Sequence, residues 1–234
     1  MFYSFMRIAA IACLPLCGAL TQKDNNLTAA EKKAGWRLLF DGKTTEGWRT
    51  YKNAAADSWE VVDGQLHCKR EGVQHHADLV TTGEGFTSFE LVLDWKIDKG
   101  ANSGVLYHVA ETHDAAYDTG PEYQLIDDLG YPGKLEDWQK SGADYAMHPP
   151  AKMAARSQGE YNHTRILVKG AHVEHWLNGV KVADFEAWTP EWEQLKKTGK
   201  WKDHPDYGTV KTGLIDLQDH DGGVWFKNIK VRVL

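Results

Sequence analysis

Cysteine is scarce in this 234-residue chain, which contains three. Cys13 and Cys17 lie in the apolar opening of the chain, so Cys68 alone is left for the remainder. A single thiol can form no internal disulfide and cannot build the cysteine clusters of structural zinc sites. The sequence therefore excludes a disulfide scaffold, and it indicates that Cys68 is a small core residue.

Apolar segments long enough to span a membrane are also missing. The apolar run of residues 8–20 follows Arg7 and is too short to cross a bilayer. It is typical of a secretory signal, and small residues at positions 17 and 19 predict cleavage after Ala19. We therefore expect a signal peptide over residues 1–19, a polar tether over residues 20–34 with a short helix at Ala29–Lys33, and a periplasmic or secreted protein. Acylation of Cys17 is the alternative, for which residues 14–16 (Leu-Pro-Leu) are a poor lead-in.

Positive charge is in deficit, with 27 Lys and Arg against 33 Asp and Glu and a net charge of -6. Phosphate backbones are bound by clustered positive charge, so a nucleic-acid partner is excluded. Internal repeats, heptads, low-complexity tracts and phosphate-binding glycine loops are absent from the sequence. The length that follows the tether fits one domain.

Short β-type segments separated by turns fill this domain. Residues 88–97 alternate between apolar and mostly polar side chains, and Asp63-Gly64 and Asn178-Gly179 are two-residue hairpin signals. This rhythm predicts an all-β sandwich or barrel. Thr189 as cap and Pro190 at the first position predict one short helix that ends at Gly199. Residues 129–159 show no sustained period, and a loop of that length is usually functional.

Two predicted strands carry a polar face. On the strand that follows Pro121, Glu122, Gln124 and Ile126 share one face, whereas Tyr123, Leu125 and Asp127 share the other. On the strand from Asn102, the first group is Ser103, Val105 and Tyr107, and the second is Gly104, Leu106 and His108. A sheet that buries Leu125 and presents Glu122 and Gln124 suits a sugar, although a solvated outer face fits the same pattern.

The order of motifs along the chain resembles the 3-keto-disaccharide hydrolase domain family. The resemblance rests on Leu39-Phe40-Asp41-Gly42, Trp59-Glu60-Val61-Val62-Asp63-Gly64, Asn102-Ser103-Gly104, Thr119-Gly120-Pro121-Glu122-Tyr123-Gln124, His175-Trp176-Leu177-Asn178-Gly179, Leu217-Gln218-Asp219-His220 and Val224-Trp225-Phe226-Lys227-Asn228-Ile229. It covers residues 35–234. It implies a concanavalin A-like jelly-roll β-sandwich, with the long loop over its concave face, and an exported enzyme that hydrolyses glycosides already oxidised at C3.

The implied chemistry defines the groups that the site needs. A ketone at C3 acidifies the C2–H, a base removes that proton, the aglycone leaves C1, and water then adds. This needs a general base, donors for the enolate oxygen and an acid for the leaving oxygen. The implied substrate is an oxidised glycoside, disaccharide or oligosaccharide, so a sugar 3-dehydrogenase is an expected upstream partner.

Glu122 is the first candidate for base or acid, with a structural Arg-paired carboxylate as the alternative. The other catalytic candidates are Asp219 and His220 at a strand end, where His220 could titrate near neutrality, and His148 as a lid residue of the long loop. Alternation places Asp219 opposite Asp216 and Gln218, so all three reach one cleft only if a bulge intervenes. The candidates for substrate binding are Gln124, Asn102, Ser103, Tyr107, Trp138, His175 and Gln218.

No cofactor or metal site is predicted. Asp127, Asp128, Asp216, Asp219 and Asp221 could offer oxygens to calcium, but they lack EF-hand spacing, and a His-Glu-x-x-His pattern is absent. Two other functions stay open. A non-catalytic carbohydrate-binding module would use the same fold. A conventional glycoside hydrolase needs paired carboxylates, whereas the alternate strand position beside Glu122 is Gln124.

Overall fold

The fold is described by a computed structural model over residues 23–220 and 222–234. The predicted signal peptide and Cys17 lie outside the described residues. The helices are α1 (Ala29–Lys33) and α2 (Pro190–Thr198), and short 3-10 turns occur at four other places. The strands are β1 (Arg37–Leu38), β2 (Trp48–Thr50), β3 (Trp59–Val62), β4 (Gln65–Cys68), β5 (Leu79–Thr81), β6 (Phe89–Ile97), β7 (Asn102–Val109), β8 (Glu122–Ile126), β9 (Asn162–Lys169), β10 (His172–Leu177), β11 (Val180–Glu186), β12 (Leu214–Leu217) and β13 (Val224–Val233).

These strands form two antiparallel sheets, as expected for a β-sandwich. The large sheet has the order β11-β10-β9-β6-β13-β4-β3, with β1 added beside β13. The small sheet has the order β2-β5-β12-β7-β8. The two predicted hairpins are present, because β3 pairs with β4 around Asp63-Gly64 and β10 pairs with β11 around Asn178-Gly179.

The core lies between the two sheets and follows the period of two along each strand. Leu91, Leu93 and Trp95 are fully buried from the large sheet, and Val105 and Tyr123 from the small sheet. Each such apolar side chain contributes roughly 1.5–3 kcal/mol when fully buried. The inward face of the small sheet is thereby committed to packing, and its outer face is left for other tasks.

The described part of the predicted tether is bound to the sandwich. Asn25 is buried, and its side-chain amide donates to the carbonyl of Gly64 at 2.8 Å. Its backbone N–H donates to Asn228 Oδ1, and Asn228 N–H donates in return to Asn25 Oδ1. Helix α1 has the predicted bounds and is capped by Thr28. This segment therefore packs along β13.

Helix α2 also has the predicted start, because the Thr189 side chain accepts from Trp192 N–H at 3.1 Å and Pro190 occupies the first turn. The long loop before β9 runs along the edge of β8. Gln124 N–H donates to Ala143 O, and Tyr145 N–H donates to Glu122 O. In the part of the chain that the structure describes, no helix is long and apolar enough to cross a membrane.

Candidate active site

On the outer face of the small sheet, polar side chains occupy positions in two neighbouring rows that cross the strands. Strand pairing aligns Val80, Asp216, Leu106 and Glu122 in one row across β5, β12, β7 and β8. The residues that flank this row along each strand, Leu217, Val105 and Tyr123 among them, point into the core. The next row on the outer face contains Asp78, Gln218, Gly104 and Gln124, because it lies two residues from the first.

The Glu122 side chain extends over the neighbouring strand, β7. A methyl group at Gly104 would lie 2.6 Å from Glu122 Oε1 and 2.9 Å from its Cγ, so the absence of a side chain at position 104 makes room for the carboxyl group. Glu122 is only 4% exposed. Burial raises its pKa to about 8, the Lys200 ammonium opposes that rise, and Asp78 and Asp144 add to it. The group is therefore mainly protonated at neutral pH, which suits a proton donor.

A cleft runs over this face in two connected halves with volumes of about 330 and 290 Å³. Tyr117, Gln218 and His220 line both halves and so lie where the two halves meet. Tyr117 is 41% exposed, so part of its ring is accessible at that point. The first half is further lined by Tyr51, Lys52, Ala54, His76, Ala77, Asp78, Asp114, Ala115 and Asp219. The second half is further lined by Asn102, Glu122, Gln124, Tyr145, Lys200, Trp201 and His204.

Donors and aromatic rings face Glu122 in the second half. Lys200 Nζ lies 3.0 Å from the hydroxyl of Tyr145 and 4.1 Å from the centre of its ring. Trp201 stacks on a buried tyrosine ring and donates its indole N–H to Tyr145 O at 3.1 Å. His204 is oriented by Asp118, with 2.6 Å between Nδ1 and Oδ1. The segment after α2 thus brings a cation, an indole and an imidazole to the cleft.

A second carboxyl group lies in the first half. Asp78 precedes β5, and its Oδ1 accepts from Asp219 N–H at 2.7 Å. Burial raises the pKa of Asp78 to about 6, although the hydrogen bond from Asp219 N–H and the charge of His220 favour the ionised form. At neutral pH this carboxyl group is mainly ionised, in contrast to Glu122.

Several buried acceptors in or beneath the cleft have no partner among the described residues. Gln218 Oε1 and Asn102 Oδ1 belong to residues that line the cleft, whereas Asp216 Oδ1 and Oδ2 lie beneath its floor. Burial raises the pKa of Asp216 well above its usual range. Buried acceptors normally find donors, and a polyhydroxylated ligand in the cleft would supply them to Gln218 and Asn102.

The structure brings together five of the residues that were predicted from the sequence to form a site. Glu122, Gln124, Asn102, Gln218 and His220 all line the cleft. Asp219 borders it, but its carboxylate is fully buried and lies 3.0–3.1 Å from His76 Nδ1 and 3.3 Å from Cys68 Sγ. Asp219 therefore orients His76 and cannot meet a substrate through its carboxylate.

Three predicted binding residues do not reach the cleft. Tyr107 and His175 lie between the sheets, where the tyrosine hydroxyl is 3.3 Å from His175 Nε2. Burial lowers the pKa of His175 to about 3, so its ring is a neutral link between the sheets. Ser103 is buried and donates to Gln218 O at 2.8 Å. Direct substrate contacts by Tyr107, His175 and Ser103 are therefore wrong, because all three side chains are used within the fold.

The two candidates from the long loop also lie away from the cleft. His148 pairs with buried Asp144 at 2.8 Å and stacks on Phe185 with 4.3 Å between ring centres. Trp138 packs edge-on behind Tyr145 at 5.3 Å. The lid role of His148 and the stacking role of Trp138 are corrected accordingly. Tyr145 is the residue that this loop contributes to the cleft.

Sequence reasoning missed Asp78, Lys200 and His204. Lys200 and His204 follow α2, and nothing in the local pattern connects that segment to β8. Asp78 precedes a short strand and is one of many acidic residues, so only its position opposite Gln218 distinguishes it. The one signal in the sequence is Tyr117, an aromatic residue in the turn before Pro121, since exposed aromatic residues often flank sugar sites.

Among the described residues, no group of three or more His, Cys, Asp or Glu side chains with metal-ligand spacing lies in the cleft. Asp127 Oδ2 accepts from Gly100 N–H, and Asp128 Oδ1 accepts from Ser141 N–H, both outside the cleft. Asp221 lies outside the described residues. Within the described ranges, the one cluster with metal-ligand spacing is on the large sheet and consists of His172, Glu174 and Asp184. Lys181 already pairs with both of its carboxylates, at 3.3 and 2.5 Å.

The two sheets define a concanavalin A-like β-sandwich with a polar cleft on one outer face. The luminal domain of VIP36 shares this fold at 8% identity, with a TM-score of 0.50 over 86% of this chain and 89% of that domain. A protein provisionally assigned as a glycosyl hydrolase from Parabacteroides distasonis is 42% identical, with a TM-score of 0.84 over 91% of this chain and 100% of its own.

The family itself follows from the sequence match. The pattern of the 3-keto-alpha-glucoside-1,2-lyase-like domain matches residues 35–232, and the chain belongs to this family. A protein of Bacteroides thetaiotaomicron named 3-keto-disaccharide hydrolase is 32% identical over 86% of this chain and 79% of its own length. The resemblance seen in the sequence and the jelly-roll prediction are thereby confirmed, and the protein is a carbohydrate hydrolase.

Proposed function

We propose that this hydrolase cleaves glycosides already oxidised to a ketone at C3, by elimination across C1–C2 followed by addition of water. The observation that carries the proposal is Glu122, a buried carboxyl group that is protonated at neutral pH and lies in a cleft of sugar dimensions. An acid in this state can protonate a departing glycosidic oxygen. The name of the Bacteroides relative supports the same substrate class.

The second half of the cleft supplies the electrostatic part of this chemistry. Lys200 and Tyr145 present an ammonium and a hydroxyl donor to the space beside Glu122. The elimination develops negative charge on O3, and preorganised donors stabilise such charge in a water-poor site. Gln124 and Asn102 are available for neighbouring hydroxyls.

A conventional glycoside hydrolase is the second candidate, because Asp78 and Glu122 are two carboxyl groups in one cleft. A conventional inverting enzyme uses such a pair on either side of the glycosidic bond. The two mechanisms differ in whether the C2–H bond breaks and whether the unoxidised glycoside is a substrate.

The test is release of a chromogenic aglycone from a 3-keto glycoside and from its unoxidised parent. We expect release from the keto compound alone, with a loss of about 10²–10⁴-fold in Glu122→Gln. The matched control is Glu84→Gln, which makes the same change at an exposed position away from the cleft and should retain activity. Release from the parent at a similar rate would contradict the proposal in favour of the conventional mechanism.

The cellular setting belongs to the same proposal. Residues 1–19 are a signal peptide that exports the protein, and an oxidoreductase acting at C3 supplies its substrate. The mass of the mature protein isolated from cells tests the first part. Cleavage after Ala19 is expected, whereas a lipid mass on Cys17 would replace it with membrane anchoring.

A further inference from the structure

We propose that Asp78 is the base that takes the C2 proton, and that the oxidised sugar lies over Gln218 between Asp78 and Glu122. This assignment rests on the proposed function. Asp78 lies outside the sequence motifs, and the positions of the two carboxyl groups on the sheet support its role.

The register of the small sheet places these groups on opposite sides of Gln218. Leu79 pairs with Leu217, so Asp78 lies beside Gln218 on the edge-ward side. On the other side, Gln218 N–H donates to Gly104 O, and the Glu122 carboxyl group lies over Gly104. Neighbouring strands are about 4.8 Å apart, so roughly 10 Å separates the backbone of Asp78 from that of Gly104. Side chains that reach inward from both sides leave space for one sugar ring.

The surroundings of Asp78 suit a general base. Its Oδ1 is fixed by the N–H of Asp219, and Oδ2 has no hydrogen-bond partner in the described ranges. The groups that face it are His220 and Asp219 from the end of β12, with Asp216 and Glu122 further along the sheet. Burial, with a smaller contribution from the charge of Asp219, raises the pKa of Asp78 and makes it more basic than an ordinary aspartate, whereas the charge of His220 favours its ionised form.

The other carboxyl groups fit this role less well. Asp216 is fully buried beneath the floor of the cleft, and burial raises its pKa well above its usual range. The carboxylate of Asp219 is fully buried and bound to His76. Asp114 lies at the mouth of the cleft and is fully exposed. Asp78 alone among these combines access to the cleft with an ionised, fixed carboxylate.

The proposed reaction consists of elimination of the aglycone followed by addition of water. Asp78 takes the C2 proton, and the C–H electron pair forms the C2–C3 enolate, with its charge on O3. The enolate reforms the C3 ketone while a C1–C2 double bond forms and the C1–O bond breaks. The leaving oxygen takes the proton of Glu122, which releases the alcohol and an enone. Glu122 then takes a proton from water as hydroxide adds to C1, and Asp78 returns its proton to C2.

Exchange of the C2 hydrogen with solvent isolates the step assigned to Asp78. The probe is the 3-keto derivative of 1,5-anhydroglucitol, which has no leaving group at C1, incubated in D2O and followed by NMR. Wild type and Glu122→Gln should both exchange C2–H, since the acid acts later. Asp78→Asn should exchange about 10²–10⁴-fold more slowly. Asp137→Asn, an exposed residue of the long loop, is the matched control and should exchange at the wild-type rate.

Two further measurements separate chemistry from folding. The asparagine oxygen can still accept from Asp219 N–H, so Asp78→Asn should unfold near the wild-type temperature and still bind the probe. Asp78→Glu keeps a carboxylate and should recover part of the exchange. Wild-type exchange by Asp78→Asn, with 3-keto glycosides still cleaved by wild type, would overturn the role of Asp78 alone. Failure of wild type to cleave them would overturn this assignment together with the proposed function.

Discussion

Replacing Gly104 with alanine should displace the Glu122 carboxyl group without removing any reactive atom. The new methyl carbon would lie 2.6 Å from Glu122 Oε1, whereas ordinary contacts begin at 3.4 Å. The carboxyl group must therefore move by about 0.8 Å. Misplacement of a catalytic group by about 1 Å costs roughly 10²-fold in rate, so we expect kcat/KM to fall by about 10–100-fold.

The same substitution should have a moderate effect on stability. Gly104 is paired with Gln124 inside the small sheet, and Glu122 is buried, so the extra methyl group overpacks this region. Overpacking costs roughly 1–3 kcal/mol. For a chain of this size, each kcal/mol lowers the unfolding midpoint by about 2–4 °C. Calorimetry beside the kinetic assay would separate this effect from the loss of activity.

Shortening the displaced side chain provides the control. Glu122→Asp alone should reduce activity, because the carboxyl group withdraws from the cleft. In the double variant with Gly104→Ala, the shorter side chain avoids the clash, so the two losses should combine to less than their product. A Gly104→Ala enzyme with wild-type kcat/KM would refute the close packing of Glu122 over Gly104 as a requirement for activity.

Four other outcomes are expected. The kcat/KM profile against pH should be bell-shaped, rising as Asp78 ionises near pH 6 and falling as Glu122 loses its proton near pH 8; a profile without the alkaline fall would contradict the acid role. Lys200→Met removes the cation that lowers the pKa of Glu122, so the alkaline limb should move to higher pH, and a shift to lower pH would contradict this. Because the folded-state pKa of Glu122 is raised, its stabilising contribution is complete below pH 4.5 and is lost as pH rises through about 8; Glu122→Gln should lose less stability than wild type over that range in denaturant titrations. Thr189→Ala removes the cap of α2 and should cost about 1 kcal/mol in the same titrations without changing KM.

The faces of the central strands could be predicted from sequence because the period of two is a local property. Glu122 and Gln124 reach the cleft, and Tyr123 and Leu125 enter the core, as alternation requires. The same rule argues against Tyr107 as a binding residue, because it shares a face with Val105, which is core. Helix α2 was likewise predictable, since its cap and its first-turn proline are adjacent in the chain.

The partners of Glu122 could not be predicted because they come from distant segments. Lys200 lies 78 positions further along the chain and meets Glu122 only because the segment after α2 folds back over the small sheet. Asp78 becomes a neighbour of Gln218 through the antiparallel pairing of β5 with β12. His175 and His148 carry chemistry that is typical of active sites, but burial against Tyr107 and pairing with Asp144 use it within the fold. Residue type alone does not distinguish these cases.

Loss of the C2 proton distinguishes the proposed elimination from conventional hydrolysis. The most direct test compares kcat/KM for a 3-keto glycoside with a nitrophenol leaving group, carrying hydrogen or deuterium at C2, because fast departure of the aglycone leaves proton removal as the slow step. The elimination mechanism predicts a normal primary isotope effect, because the C2–H bond then breaks in the rate-limiting step. An isotope effect no larger than that of a remote, unbroken bond would contradict the account and assign Glu122 and Asp78 to conventional hydrolysis at C1.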